Sequence, residues 1–117
     1  MSQEDAIHLK MQSRFEELWR GGDCWNFEGS AYEQARFRRQ LALVDDRRYL
    51  NVLEIGCGSG CFTRLLAPIS ERIVALDIAP SAIERAVKNN ADGRPIDFRV
   101  AISCSTTPGP KDRGTSW

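Results

Sequence analysis

Apolar positions Ile7, Met11, Phe15 and Leu18 recur at three- and four-residue spacing through residues 4–20, and the pattern stops at Gly21-Gly22. That period predicts an amphipathic helix with these side chains on one face, ended by the glycines. Residues 23–30 read as a loop carrying two large aromatics, Trp25 and Phe27. Ser30 followed by Glu33 has the spacing of a capping box and predicts a second helix from Ser30 to about Val44. Asp45-Asp46-Arg47-Arg48 is a charged connector. The pattern then changes. Leu50–Ile55 is a short apolar run ending at glycine, which predicts a buried parallel strand. Phe62, Leu65 and Leu66 mark one side of a helix that Pro68 ends. Ile73–Leu76 predicts a second buried strand, and Pro80 opens a helix with Ile83, Ala86 and Val87 on one face. Asn89-Asn90 and Gly93 close it, and Ile96–Val100 predicts a third strand. The β-α-β-α-β order predicts an α/β fold with a doubly wound parallel sheet. Residues 102–117 are rich in Ser, Thr, Gly and Pro without apolar periodicity, and predict an irregular or disordered tail. No internal repeat is visible.

Charge narrows the function classes. Among 117 residues, 16 Lys+Arg balance 16 Asp+Glu, and residues 1–49 carry 8 basic and 9 acidic side chains, so no charged half hides in the total. This balance argues against nucleic acid and anionic membrane as partners. No apolar run approaches the ~20 residues of a membrane span. The opening MSQEDAIHLK has no apolar h-region, so no signal peptide is expected, and a cytoplasmic soluble protein is. The cysteines Cys24, Cys57, Cys61 and Cys104 form no C-x-x-C pair, and His8 is the single histidine. A zinc site and a Ser-His-Asp or Cys-His site are both disfavoured, and reduced thiols are expected.

The informative stretch is Glu54-Ile55-Gly56-Cys57-Gly58-Ser59-Gly60, between a predicted strand and a predicted helix. Glycines there let the backbone approach a ligand, and in open parallel sheets ligands bind at the carboxyl ends of the strands. A G-x-G-x-x-G/A dinucleotide fingerprint starting at Gly56 needs a small residue at 61, where Cys61 stands. A phosphate-binding P-loop needs G-K-[ST], but Gly60 is followed by Cys61-Phe62-Thr63. Asp77, 21 residues after Gly56, ends the second strand where a carboxylate accepts ribose hydroxyls. Together these point to a nucleoside-containing ligand.

VLEIGCGSG followed by IVALDIAPSAIERA resembles the first two motifs of class I S-adenosylmethionine-dependent methyltransferases, whose fold is Rossmann-like. The resemblance implies S-adenosyl-L-methionine as cofactor. Glu54, Gly56, Cys57, Gly58 and Gly60 would line its methionyl end, Asp77 would hold the ribose, and Ile78 would pack beside the adenine. For Glu54 the other reading is a cap on nearby N–H groups. Upstream, DCWNFEGSAYEQARF is similar to the D-P-W-x-F-E-T-S-x-Y-E segment of nodulation protein S-like methyltransferases, which N-methylate a sugar-derived amine. Cys24 replaces the proline and Gly29 the threonine. Trp25 and Tyr32 either close over cofactor or substrate, or pack the N-terminal helices on the sheet.

The resemblance implies an organisation in three parts. Residues 1–49 form an N-terminal helical lid, and 50–101 a partial S-adenosylmethionine-binding domain with only the first three of seven strands. Residues 102–117 form the tail, for which a frameshift or truncation is the expected explanation. Without a fourth strand, Val52–Ile55 becomes an apolar sheet edge open to self-association. Three functions stay open. The first is a methyltransferase, or its cofactor half, acting on a small-molecule or sugar-derived amine, with no residue assigned as general base. The second is a non-catalytic remnant that at most binds S-adenosylmethionine. The third is an NAD-binding oxidoreductase fragment, against which Cys61 stands.

Overall fold

The structure is a computed structural model and describes residues 2–23 and 27–101. The first helix, α1 (Gln3–Arg20), begins with a full capping box: the Ser2 hydroxyl accepts from the Asp5 N–H at 3.0 Å, and the Asp5 carboxylate accepts from the Ser2 N–H at 3.3 Å. The apolar stripe of α1 is buried only toward its C-terminal end, where half-buried Phe15 packs against Trp19 one turn on. Ile7, Met11 and Leu18 are exposed, whereas Trp19 is 4% exposed and packs with Ala79 and Ala82. The helix touches the rest of the described chain near its C-terminal end, so Ile7 and Met11 meet no opposing surface.

In α2 (Ala31–Ala42) the Ser30 hydroxyl accepts from the Glu33 N–H at 3.2 Å, as expected of an N-cap. Only half of the expected box forms, because the Glu33 carboxylate pairs with Arg36 at 2.6 Å. The helix also stops before Val44. Leu43 and Val44 donate three residues back, to Gln40 and Leu41, which tightens the last turn. Its buried residue is Phe37.

Three parallel strands follow in the order β1-β2-β3: β1 (Tyr49–Ile55), β2 (Ser70–Asp77) and β3 (Ile96–Val100). Register aligns Glu54 with Ala75, Ala75 with Phe98, and Asp77 with Val100. The central strand behaves as its composition dictates: Ile73, Val74 and Ala75 are all buried, since both faces of a parallel sheet are covered. The first strand lies at the sheet edge among the described residues, as expected of Val52–Ile55 without a fourth strand, and not buried as its apolar composition predicts. Leu50, at 75%, and Ile55, at 65%, are exposed because among the described residues β1 pairs only with β2.

A short helix, α3 (Cys61–Leu66), and a 3-10 turn at Ala67–Ile69 containing Pro68 join β1 to β2. The last helix, α4 (Pro80–Asn89), joins β2 to β3. Its buried side chains are Ala82, Ile83 and Ala86, and Val87 is exposed. At 100° per residue Val87 lies about 90° from the centre of that face, which corrects its expected place in the core.

Glu16 fastens α1 to the start of α4. Its carboxylate accepts from the Ser81 N–H at 2.8 Å and from the Ser81 hydroxyl, supplying the cap that Ala79 lacks. These bonds hold the Glu16 carboxyl below its ordinary value of 4.5. A depressed folded-state pKa means that the contribution is full above the unfolded value and fades as pH falls through the folded one. The thermal midpoint of the wild-type chain is therefore expected to exceed that of Glu16→Gln most clearly near neutral pH. The gap narrows below about pH 4.5, as thermal denaturation at several pH values would show. Helix α1 stays docked, because a buried tryptophan contributes about 3–5 kcal/mol and a hydrogen bond to a charged group about 1.5–3.

Candidate cofactor site

The β1–α3 turn is tied to the end of β2. Gly56 and Cys57 both donate their N–H to the Leu76 carbonyl, at 2.8 and 2.9 Å, and Gly60 donates to Cys57 O at 3.0 Å. Two glycines in this turn are required for different reasons. Gly60 has φ +80°, and a Cβ there would lie 2.7 Å from Asn90 Nδ2 and 3.2 Å from Ala86 Cβ. Gly56 has φ +76°, is exposed, and would bring a Cβ within 4 Å of nothing. Gly60 is thus demanded by packing, whereas the open side of Gly56 leaves the backbone free for a ligand to approach. Trp19 lies against the intervening Gly58.

Asp77 fastens the same turn. One carboxylate oxygen accepts from the Gly58 N–H at 2.9 Å and the other from the Ala79 N–H at 3.0 Å. A carboxylate offers about four lone-pair sites, so acceptor capacity remains.

Glu54 is half-buried, and one of its oxygens accepts from the Thr63 hydroxyl on α3. Its partner is a hydroxyl and not the backbone N–H groups of the capping reading. Burial pushes the Glu54 carboxyl up from its usual range, against the pull of Thr63, and nearby Asp77 adds to the rise. The Cys57 thiol is pushed up strongly by burial and by the same two carboxylates, which keeps it neutral and suits its place in the core. Cys61 is also shifted up, chiefly by burial. Neither thiol has the lowered pKa of a reactive nucleophile.

A cleft of about 440 Å³ opens beside the turn, with Glu54, Gly56 and Gly58 on one side and Phe27, Phe37 and Phe62 on another. The phenyl rings form a chain, with centroids 6.0 Å apart from Phe27 to Phe37 and 6.0 Å from Phe37 to Phe62. Cys57 also lines this cleft, while Gly60, Asp77 and Ile78 do not. Tyr32 is 68% exposed and packs nothing onto the sheet. Trp25, Cys24, Cys104 and the tail lie outside the described residues. Among the described residues, no cluster of three or more His, Cys, Asp or Glu is arranged to hold a metal, and no helix is long and apolar enough to cross a membrane.

Sequence reasoning missed Thr63, Trp19 and the α2 side chains Arg36 and Gln40, which also line the cleft. Thr63 had a signal: a hydroxyl inside the apolar side of a short helix, nine residues after an acid inside an apolar strand, leaves each needing a partner.

The family model of nodulation protein S (NodS) matches residues 11–101. The chain belongs to the nodulation protein S family. Nodulation protein S of Bradyrhizobium diazoefficiens is 42% identical over 64 residues, which is 54% of this chain and 31% of that protein. Nodulation protein S of Sinorhizobium fredii is 35% identical over 80 residues, 68% of this chain and 37% of that protein. Among solved structures, the N-methyltransferase NodS from Bradyrhizobium japonicum WM9 in complex with S-adenosyl-L-homocysteine superposes with a TM-score of 0.64 at 30% identity. That match covers 74% of this chain and 45% of the crystallised one. Phosphoethanolamine N-methyltransferase 1 of Haemonchus contortus, at 22% identity and a TM-score of 0.69, shares the fold. The chain therefore spans less than half the length of these relatives. In this nodulation protein S family chain, the parallel sheet and its helices are a partial Rossmann-like methyltransferase fold.

Proposed function

We propose that the chain forms the S-adenosylmethionine-binding part of a methyltransferase that N-methylates a small-molecule or sugar-derived amine. The observation that carries this reading is the pairing of an open, positive-φ Gly56 with the half-buried Glu54 carboxyl in one cleft. The residues present fit the cofactor. Glu54 offers a carboxyl oxygen to an ammonium group, Gly56 leaves room for close approach, and Asp77 keeps acceptor capacity for ribose hydroxyls. Ile78 offers an apolar side chain next to Asp77 for the adenine. When bound, S-adenosylmethionine supplies an activated methyl group for direct displacement by an amine.

The chain's own contribution is positional. The glycine turn, anchored to Leu76 and Asp77, presents a fixed surface, and α1 and α2 flank it as a helical cover. Fixing donor and acceptor geometry accounts for much of the acceleration of a displacement reaction.

Calorimetric titration of the chain with S-adenosylhomocysteine and with NADH tests the reading. Binding of the first and not the second supports it, and the reverse result would replace it with the oxidoreductase reading. Binding without turnover of any amine acceptor would favour a non-catalytic remnant.

The outer edge of β1 bears on how the chain behaves in solution. Among the described residues no strand pairs with that edge, and its N–H and C=O groups with the exposed Leu50 and Ile55 make a second copy of this strand the ready partner, while a net charge of zero offers little repulsion. Light scattering is expected to show concentration-dependent association that Leu50→Lys reduces, as charges on edge strands do. A monodisperse wild-type monomer with a cooperative melt would overturn this.

A further inference from the structure

We propose that Thr63 is a positioning residue for the cofactor site: its hydroxyl holds one oxygen of Glu54 and leaves the other to a cationic group in the cleft. The role rests on the cofactor reading above and names the residue that sets the orientation of Glu54.

Thr63 is completely buried on α3, and its hydroxyl donates to Glu54 Oε1. A buried threonine has a stiff χ1, so its hydroxyl points one way. Within a helix, the usual partner of such a hydroxyl is a carbonyl three or four residues back. Gly60 O already accepts from the Arg64 N–H at 3.1 Å and from Asn90 Nδ2, and Ser59 O accepts from Asn89 Nδ2 at 3.1 Å, so both have other partners. The Thr63 proton goes to Glu54 instead.

Among the described residues, no other hydrogen bond reaches the Glu54 carboxyl, and the side chain lines the cleft. The groups facing it are Thr63 from α3, the Asp77 carboxylate from β2 and the Cys57 thiol from the turn. From α2, Arg36 lines the same cleft but is paired to Glu33. Burial and Asp77 disfavour the charged form of Glu54, and among the described residues the Thr63 hydroxyl favours it. The hydroxyl therefore fixes the rotamer and also sustains the negative charge that a cation needs.

The experiment measures S-adenosylhomocysteine affinity of the full chain between pH 5.5 and 8 for wild type, Thr63→Val and Thr63→Ser. Thr63→Val keeps the shape and is expected to weaken binding about tenfold, by loss of one hydrogen bond to a charged group. It is also expected to move the pH midpoint of binding upward, because Glu54 then ionises later. Thr63→Ser keeps the hydroxyl and is expected to retain affinity within about twofold and the wild-type midpoint. Equal losses in Thr63→Ser and Thr63→Val would assign the effect to packing and overturn the proposal. So would wild-type affinity and midpoint in Thr63→Val. Absence of binding by the wild-type chain at every pH would overturn the cofactor reading, and this role with it.

Discussion

Gly60→Ala is expected to remove a large fraction of the stability of the chain. The new methyl would meet Asn90 Nδ2 at 2.7 Å, Ala86 Cβ at 3.2 Å and the Phe98 ring at 3.4 Å, while the backbone holds φ at +80°. None of these neighbours retreats easily. Asn90 is 8% exposed and its amide donates to Ala86 O at 2.9 Å, and Ala86 itself is fully buried on α4. Overpacking costs about 1–3 kcal/mol, and the left-handed conformation adds about 1–2 for a residue with a Cβ. The sum, about 2–5 kcal/mol, is a large fraction of the 5–15 kcal/mol typical of a domain. Gly56→Ala, which meets nothing within 4 Å, bears the conformational cost alone. Thermal denaturation followed by circular dichroism should place Gly60→Ala below Gly56→Ala by about 4–18 °C, the effect of the roughly 1–3 kcal/mol of overpacking that only Gly60→Ala suffers. Coinciding midpoints would mean that the turn and α4 are not packed as described.

Asp77→Ala is expected to abolish measurable S-adenosylhomocysteine binding. The substitution removes the acceptor for the proposed ribose contact and also releases two backbone donors, Gly58 N–H and Ala79 N–H. Two ribose hydroxyls donating to the carboxylate contribute about 1.5–3 kcal/mol each, so losing both predicts at least a hundredfold loss in affinity, and the freed N–H groups lower stability besides. Asp77→Asn separates the parts. It keeps one acceptor oxygen but turns an NH₂ toward the second backbone donor, so its affinity should fall between the two. Calorimetry reads the effect, with circular dichroism to confirm a folded chain. Wild-type affinity in Asp77→Ala would remove Asp77 from the site.

The order of elements was legible because each has a strong local signal. Ser30 caps α2, Pro80 opens α4, and the all-apolar Ile73–Ala75 run could only be an interior strand. Which faces are buried was less legible, because burial depends on partners that are distant in the chain. In the stripe Ile7, Met11, Phe15 and Leu18, only Phe15 packs, beside Trp19 one turn further on, while Ile7, Met11 and Leu18 face solvent. The composition of Leu50–Ile55 suits two covered faces and by itself predicts burial; its edge position was legible only from the count of strands.

The site divides the same way. Glu54, Gly56 and Asp77 were readable from motif and spacing, and the structure ties the glycine turn and Asp77 together. Thr63 and the phenyl wall of Phe27, Phe37 and Phe62 were not, since they come from α2, α3 and the loop before them and meet only in three dimensions. The Ser30–Glu33 spacing predicted a reciprocal box, but Arg36 one turn later competes for the Glu33 carboxylate, and the charged pair prevails.

The Glu16–Ser81 contact spans 65 positions, whereas each strand pairs with the one that follows it in the chain. This contrast has a consequence for the order of assembly. Local pairings close short loops and form early, and contacts across long separations bear a larger closure cost and come late. As the polypeptide leaves the ribosome, β1 must wait for β2, and α1 has no surface to settle on until α4 has been made. Helix α1 is therefore made before the elements it rests on and is among the last of them to dock, and until α4 has been made Trp19 is an unburied indole.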